Sequence, residues 1–541
     1  MMPFTLVLIS AVVAAAAYLR ALDFPFISDD NPYIPENAKL AELRVAELWR
    51  LFTEPYNSLA EFLPLRDLSY WIDITLFGLN PSAFRAHNIL LYLLCLPLVY
   101  AITSALWRYF RPGDDASAPW VSAIVTALFA LHPAHVEAVV WISGRKDVLC
   151  GLFSLLALWF AVNAKREQGL SPLYAGAAIV ALLAAALSKA VAVAVAPVIA
   201  LLWLVFWRDI PADKRRLSLL LWPIAIVLLA IGVAIIFSAA VKTRTPIYWG
   251  VETITRALGI LGGLTRIAVS PEDRHFFYPL FEDPWFTAMV ALGAVVLVAA
   301  IASGVRGLRN KPSLPGFALL AFTLICMPSL QLVPYAPPSL ISDRFVFLAL
   351  WPLLLLIVIL AWRLKPVPCT ILLLIIAIPW VFQTFERPGD YRSFDKLLDS
   401  DMRAYPGYYM PAHYKINIQE IGTGSIETYG EILRIAKNIS DPYARDIISS
   451  LIQSDYAVYV GAMSSGDPRE ATRILRNVEV KLRQPPAQIL WNTPMYNLWK
   501  DSQSSLSAQW QYLLENFPLD ESVRHNAALY RLNADNYQVP Q

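Results

Sequence analysis

Segment after segment of this chain is long and apolar enough to cross a bilayer, and that constrains the fold more than any motif does. A helical crossing of ~30 Å of hydrocarbon takes roughly 20 residues. Runs of that kind lie near 4–22, 85–107, 119–137, 148–164, 172–188, 190–207, 217–240, 285–304, 314–333, 345–362 and 367–385, about eleven in all. In lipid every backbone polar group needs an internal partner, so such runs fold as helices packed on one another. A soluble globular fold is excluded: 57% of the residues are hydrophobic, 16% are charged, and the mean hydropathy is +0.49. The first run has no basic stretch before it and many runs after it, so it reads as a retained helix rather than a signal peptide.

Charge in the connecting loops sets the orientation. Arg108 and Arg111, Lys165 and Arg166, Arg208 with Lys214, Arg215 and Arg216, Arg306, Arg309 and Lys311, and Arg363 with Lys365 occupy every second loop. Short basic loops face the cytoplasm. The loops 23–84, 138–147, 241–284 and 334–344 are longer and mixed in charge, so they face outward. A multi-pass protein of the inner (plasma) membrane is expected, with a cytoplasmic N-terminus and an extracytoplasmic C-terminal segment. Nothing in the net charge of +2 calls for a nucleic-acid partner. Cys95, Cys150, Cys326 and Cys369 all fall within apolar runs, as buried small hydrophobes rather than a disulfide framework.

Composition shifts near residue 386. The reading is a membrane domain over 1–385 and a polar helical domain over 386–541. Tyr391, Phe394, Leu397 and Leu398 recur at helical spacing. Stacked helical hairpins of the tetratricopeptide type fit the tail, although no clean repeat of roughly 34 residues is visible. In the membrane domain, Ile254, Leu258, Leu261 and Leu264 predict an amphipathic helix lying in the interface.

Chemistry is expected in the outward loops. Asp29 and Asp30 follow the first span, and carboxylates beside a bilayer are costly unless they have a role. One reading is a general base, or a pair of ligands for a divalent metal such as Mg or Mn, held at the membrane–water boundary. The other is an Asp-Asp turn that caps an interfacial helix. Arg66 and Arg85 are candidate partners for a phosphate or for the acidic pair, or else interfacial snorkelling residues.

The third span ends in Leu131-His132-Pro133-Ala134-His135-Val136-Glu137, and Arg145-Lys146-Asp147 follows shortly after. His132, His135 and Glu137 carry imidazole and carboxylate groups that could hold a metal, but not at the spacing of a zinc-peptidase motif. Their place at the outer rim favours a basic pocket for a phosphate or pyrophosphate, with Glu137 and Asp147 orienting the bases. Lys189, flanked by Ala and Val, either reaches an interface or meets an anion, and Arg344, next to Asp343, faces the same side.

Taken in order, these pieces resemble a known family. Asp29-Asp30 after the first span, Leu76-Phe77-Gly78-Leu79-Asn80-Pro81 before the second, the His132 to Asp147 block, Ser188-Lys189 and Asp343-Arg344-Phe345 are similar to the GT-C glycosyltransferases. Within them the likeness is to the protein O-mannosyltransferase-like family that bears tetratricopeptide repeats. The resemblance covers about residues 20–400. It implies sugar transfer from a polyprenyl-phosphate donor to a hydroxyl acceptor, protein Ser/Thr above all, on the outer face. It also implies an inverting single displacement with Asp29 as base and Asp30 in support. Arg145, Lys146, Arg344, Lys189, His132 and His135 would hold the donor phosphate, with Glu137, Asp147, Asp343, Arg66 and Arg85 supporting them. The acceptor protein or glycan would engage the tail.

This chain departs from the family at Leu63, where relatives tend to carry a basic or His residue, and near the second span, where they often carry His and this chain presents Arg85 and Tyr92. Two other classes fit many spans and few charges: a transporter or flippase of a lipid-linked saccharide, and a membrane-anchored assembly factor working through its tail. Charges at the outer rim rather than the midplane, and the lack of an inverted repeat, weigh against transport.

Overall fold

The protein is described by a computed structural model at residues 2–57, 61–166, 169–209, 251–270, 275–280, 283–310, 312–332, 339–364, 366–405 and 411. It is helical throughout, save for one two-residue antiparallel pairing of Lys165 with Leu170 and Arg166 with Gly169. Ten of the eleven predicted runs coincide with described helices. They are Met2–Leu19, Pro81–Phe110, Ala118–Ala130, Arg145–Asn163, Pro172–Ser188, Val195–Trp207, Phe286–Arg309, Leu314–Cys326, Leu350–Ala361 and Pro366–Glu386. The run 217–240 lies outside the described residues. Six helical segments are long and apolar enough to cross a membrane, and four more are apolar but shorter.

Local sequence explains where the helices begin. Proline occupies the first turn of Pro64–Phe77, Pro81–Phe110, Ala118–Ala130, Pro172–Ser188 and Leu314–Cys326, where its missing N–H costs nothing. Asn80 caps the second of these by accepting from the Ser82 N–H at 3.0 Å.

The helices bury one another from the middle outward. Pro81–Phe110 packs on Ala118–Ala130 and Arg145–Asn163, and the latter packs on Pro172–Ser188. Met2–Leu19 and Leu350–Ala361 both pack on Ala118–Ala130. Peripheral helices stay apolar where nothing covers them. Val295, Val298, Ile301, Val305 and Leu308 form one exposed strip on Phe286–Arg309, and Val367, Ile371, Leu374, Ile375 and Ile378 another on Pro366–Glu386. Exposed apolar strips of that extent face lipid. All four cysteines are buried and free.

The predicted apolar helix is present as Val251–Val269, and its expected face is buried at Leu261 and Leu264, half-buried at Leu258 and exposed only at Ile254. Ile260 and Ile267 are buried as well. Gly262 and Gly293 set this packing: a Cβ at Gly262 would collide with the Met289 carbonyl, and one at Gly293 with the Leu258 carbonyl.

The chain divides into two compact units. The first holds the apolar helices and runs on to Leu397, past the expected boundary at 385. Tyr391 and Leu397, read as the start of a separate tail, are buried. The second takes in 237–254, 333–339 and 398–541, and the predicted repeat-like helices beyond 411 lie outside the described residues.

Candidate functional site

The loop 23–84 is a folded layer rather than a tether. Tyr33, Ile34, Leu40, Leu43, Leu51, Tyr56, Tyr70 and Phe84 form an apolar core with Ile142. Asn37 ties it down by donating to the Tyr33 and Tyr56 carbonyls.

Asp29 and Asp30 sit at the edge of this layer, and the structure separates them. Ser28 adopts a left-handed φ of 51°, a conformation that costs an L-residue about 1–2 kcal/mol. The chain then enters the short helix Asp30–Tyr33. Asp30 turns inward and is fully buried. Its Oδ1 accepts from the Ser143 N–H at 2.7 Å and the Ser143 hydroxyl at 2.6 Å, and its Oδ2 accepts from the Ile27 N–H at 3.0 Å. Burial pushes its carboxyl up to about 6, although the Ser143 bonds and Arg85 pull the other way.

Asp29 is only half-buried, and among the described residues its carboxylate accepts no hydrogen bond, not even from the helix end it precedes. It acts electrostatically on Tyr33, Lys146 and Arg344. The adjacent pair therefore holds one engaged and one open carboxylate.

The basic residues divide in the same way. Arg145 is fully buried, and all three guanidinium nitrogens are engaged. Nε donates to Asn88 at 2.7 Å, Nη1 to Asp73 at 2.5 Å, and Nη2 to the Phe84 carbonyl at 2.7 Å. Arg85 donates to the Val140, Phe24 and Pro25 carbonyls and splints the loop to the second span. Arg66 is buried between Asp67 at 2.8 Å and Glu61 at 2.7 Å, with its guanidinium over the Tyr33 ring.

These three were expected at a phosphate or at the acidic pair. Arg145 and Arg66 instead satisfy buried carboxylates and carbonyls, whereas Arg85 satisfies carbonyls and also acts electrostatically on Asp30 of the acidic pair. Both histidines also leave the site. His132 is buried, its Nε2 3.1 Å from the Ala268 carbonyl and its Nδ1 3.2 Å from the Ala134 N–H. His135 is buried against Phe129, Tyr92 and Phe347, and neither ring nitrogen has a partner.

Three cations remain open. Lys146, Lys189 and Arg344 keep side-chain exposures of 11%, 16% and 18%. Each is held by one carboxylate: Lys146 by Glu61 at 3.5 Å, Lys189 by Asp147 at 2.5 Å, and Arg344 by Glu137. Glu137 is buried and also accepts from the Ser342 hydroxyl and the Arg344 backbone N–H, so one guanidinium edge is fixed. Among the described residues the Nε and Nη2 of Arg344 carry no hydrogen bond, a free edge of the shape that grips a phosphate.

Asp343 does not hold Arg344, as the sequence suggested. It accepts from the Tyr278 hydroxyl at 2.6 Å. The cations rest on aromatic faces, Arg344 over Trp141 and Phe345, Lys189 over Phe345 and Lys146 over Tyr33.

Gly144 allows the block to close. A Cβ there would lie 2.5 Å from the Ala138 carbonyl oxygen, so only glycine lets Arg145-Lys146-Asp147 start a helix against His135–Val140.

Glu61 and His87 carry no expectation from the sequence, and Asp73 reads there only as a charged group close to the next span. Glu61 collects the Tyr33 hydroxyl at 2.7 Å, Arg66 and Lys146 on one oxygen. Burial raises its carboxyl, but Lys146 and Arg66 outweigh that and hold it down at about 2. Its signal was an acidic residue five positions before Arg66. Asp73 bridges Arg145 and His87, the latter at 2.8 Å, and reading Arg85 and Tyr92 in place of a histidine near the second span overlooked His87. Asp29 and Asp30 are the carboxylates at which a divalent metal was expected. Both oxygens of Asp30 are engaged, and no group of three or more His, Cys, Asp or Glu side chains is gathered for a metal among the described residues.

No family model matches the chain. It is 34% identical over 179 residues to the human Protein O-mannosyl-transferase TMTC4, a stretch covering 31% of this chain and 24% of that protein. It is 34% identical over 175 residues to the human Protein O-mannosyl-transferase TMTC1, covering 30% and 18%. This chain resembles the protein O-mannosyl-transferases. The likeness read from the motifs is thus a measured one, and it extends to Protein O-mannosyl-transferase F38B6.6 of Caenorhabditis elegans, at 28% over 159 residues and 22% of that protein. The shared stretch spans about a quarter or less of these relatives' length. Among solved structures, the crystal structure of ArnT from Cupriavidus metallidurans bound to undecaprenyl phosphate aligns with 90% of this chain and 76% of that one, at 14% identity. The TM-score of that alignment is 0.37, too low to carry an argument about function.

Proposed function

We propose that this chain is an integral-membrane glycosyltransferase, moving a sugar from a polyprenyl-phosphate donor to a hydroxyl acceptor on the outer membrane face. One observation carries the proposal. An open carboxylate, Asp29, acts on Lys146 and Arg344, Lys189 acts in turn on Lys146, and each of the three part-exposed cations is steadied by a carboxylate of its own. The measured likeness to protein O-mannosyl-transferases supports a sugar as the transferred group and a protein Ser/Thr hydroxyl as the acceptor.

The chemistry needs little else. The acceptor oxygen attacks the anomeric carbon from the side opposite the phosphate, and the carbon–oxygen bond to phosphate breaks. The electron pair leaves on the phosphate oxygen, and Asp29 takes the hydroxyl proton. A single displacement inverts the anomeric centre. Lys146, Lys189 and the free edge of Arg344 stabilise charge on the departing phosphate, in a site where most donors are already fixed. Glu61, Asp147 and Glu137 orient these cations. Asp30 supports the base from behind by locking Ser143 and Ile27. No metal enters this scheme.

Purified protein carrying Asp29→Asn tests the assignment. It should insert and fold as wild type does, yet transfer no hexose from a polyprenyl-phosphate donor to a Ser/Thr peptide. Wild-type transfer by that variant overturns the role of Asp29. Mass spectrometry of envelope and secreted proteins, with and without the gene, tests the acceptor: a lost hexose-sized modification on Ser or Thr is the expected outcome.

A further inference from the structure

We propose that Arg20, Arg392 and Lys396 form a second anion site, which takes a phosphate group in a recess beside the first and last described membrane-type helices. The recess measures about 450 Å³ and is lined by Arg20, Phe24, Gly389, Arg392 and Lys396. That volume is within the range of small-ligand sites, roughly 300–1,000 Å³. The cations come from opposite ends of the chain. Arg20 follows Met2–Leu19, and its Nη1 donates to the Phe385 carbonyl at 2.9 Å across 365 residues of sequence. Arg392 closes the turn after Pro366–Glu386 and lies over the Phe24 ring, 5.5 Å from its centroid. Lys396 opens the helix that follows.

All three side chains are exposed, and among the described residues no carboxylate pairs with any of them. Among nearby acids, Asp23 accepts from Ser82 and Asp390 pairs with Arg387 at 3.1 Å, while the exposed Glu386 pairs with none of the three cations among the described residues. Like charges brought together without counter-charges repel one another, and an anion relieves that repulsion. On the expected orientation the cluster stands outside the short cytoplasmic loops in which membrane proteins concentrate Lys and Arg, so the positive-inside bias does not account for it. The ring of Phe24 gives the recess one apolar wall beside its charged rim, the pairing suited to a headgroup phosphate with glycerol or acyl carbons next to it.

Recognition is of the phosphate, and two sources carry it: an anionic lipid headgroup and free inorganic phosphate. The test compares the full chain with an Arg20→Gln/Arg392→Gln/Lys396→Gln variant, whose changes are all at exposed positions; circular dichroism checks that it folds. Native mass spectrometry from nanodiscs of mixed phosphatidylglycerol and phosphatidylcholine measures lipid retention. Labelled inorganic phosphate in detergent measures the free anion.

Selective retention of phosphatidylglycerol that drops roughly tenfold or more in the variant supports a lipid site. Phosphate binding lost in the variant, without lipid selectivity, supports a free-anion site. Equal retention of both probes by wild type and variant overturns the proposal. Asp29→Asn leaves this binding unchanged, so its failure and that of the transferase reading are told apart.

Discussion

Asp29 and Asp30 are neighbours with opposite fates, and the division runs through the whole outer layer. On one side Asp30, Arg145, Arg85 and Arg66 are buried, and every charge is engaged with a carbonyl, a hydroxyl or an opposite charge. On the other side Asp29, Lys146, Lys189 and Arg344 keep open faces. Both halves contain an aspartate and arginine, and the two lysines fall on the open side. What separates them is access: buried charges hold the loop on the helices, and half-exposed ones remain available to a ligand.

The sharpest way to break this comparison is at its open carboxylate. Asp29→Asn should lower kcat for transfer by about 10²–10⁴-fold, with the melting temperature unchanged. A loss of stability instead would move Asp29 to the structural half. The next largest effect belongs to Arg145. Arg145→Ala leaves Asp73 buried beside an empty space and should cost about 3–5 kcal/mol in denaturant unfolding. A variant of normal stability with weakened donor binding would return Arg145 to the phosphate.

Asp30 offers a test by pH. Its folded carboxyl lies at about 6, above the usual 3.8, so the folded state holds a proton that the unfolded state has released. Its contribution to stability is therefore greatest below about pH 4 and falls as pH rises to about 6, by about 3 kcal/mol in all. Asp30→Asn should flatten that stretch of the melting-temperature profile. A slope that survives the substitution would place the titration elsewhere.

Arg344→Lys removes the planar free edge but keeps the charge. We expect kcat and kcat/KM for the donor both to fall about tenfold, and Glu137→Gln to produce part of the same fall non-additively. Independent effects of the two changes would sever Glu137 from Arg344. The smallest effect is expected at His135. His135→Phe replaces an unpartnered buried imidazole among three aromatic rings, and should leave the donor KM unchanged and stability within about 1 kcal/mol of wild type or above it. A raised KM would bring His135 back to the site.

Much of this architecture was legible before any coordinates. Hydrophobic length announced helices at ten described positions, because a crossing helix satisfies its own backbone and so carries its signal locally. The chemistry-bearing blocks were legible too, since Asp29, Lys146, Lys189 and Arg344 stood out as charges where charge is costly. The errors cluster where partners come from far away. Arg145 reads in sequence like Lys146 beside it, yet helical geometry turns one toward Asn88 and Asp73 and the other toward Glu61. His132 and His135 read as a basic pocket, but packing closes over both.

The sequence by itself determined that this is a membrane-embedded helical protein, and which of its loops carry reactive groups, because hydropathy and charge are properties of single residues and short runs. Only the tertiary structure decided which carboxylate of the pair is open, which cations are free, and that Glu137 rather than Asp343 fixes Arg344. Those are questions of burial and of pairing between residues as distant as Glu137 and Ser342, 205 positions apart, and no local pattern encodes them.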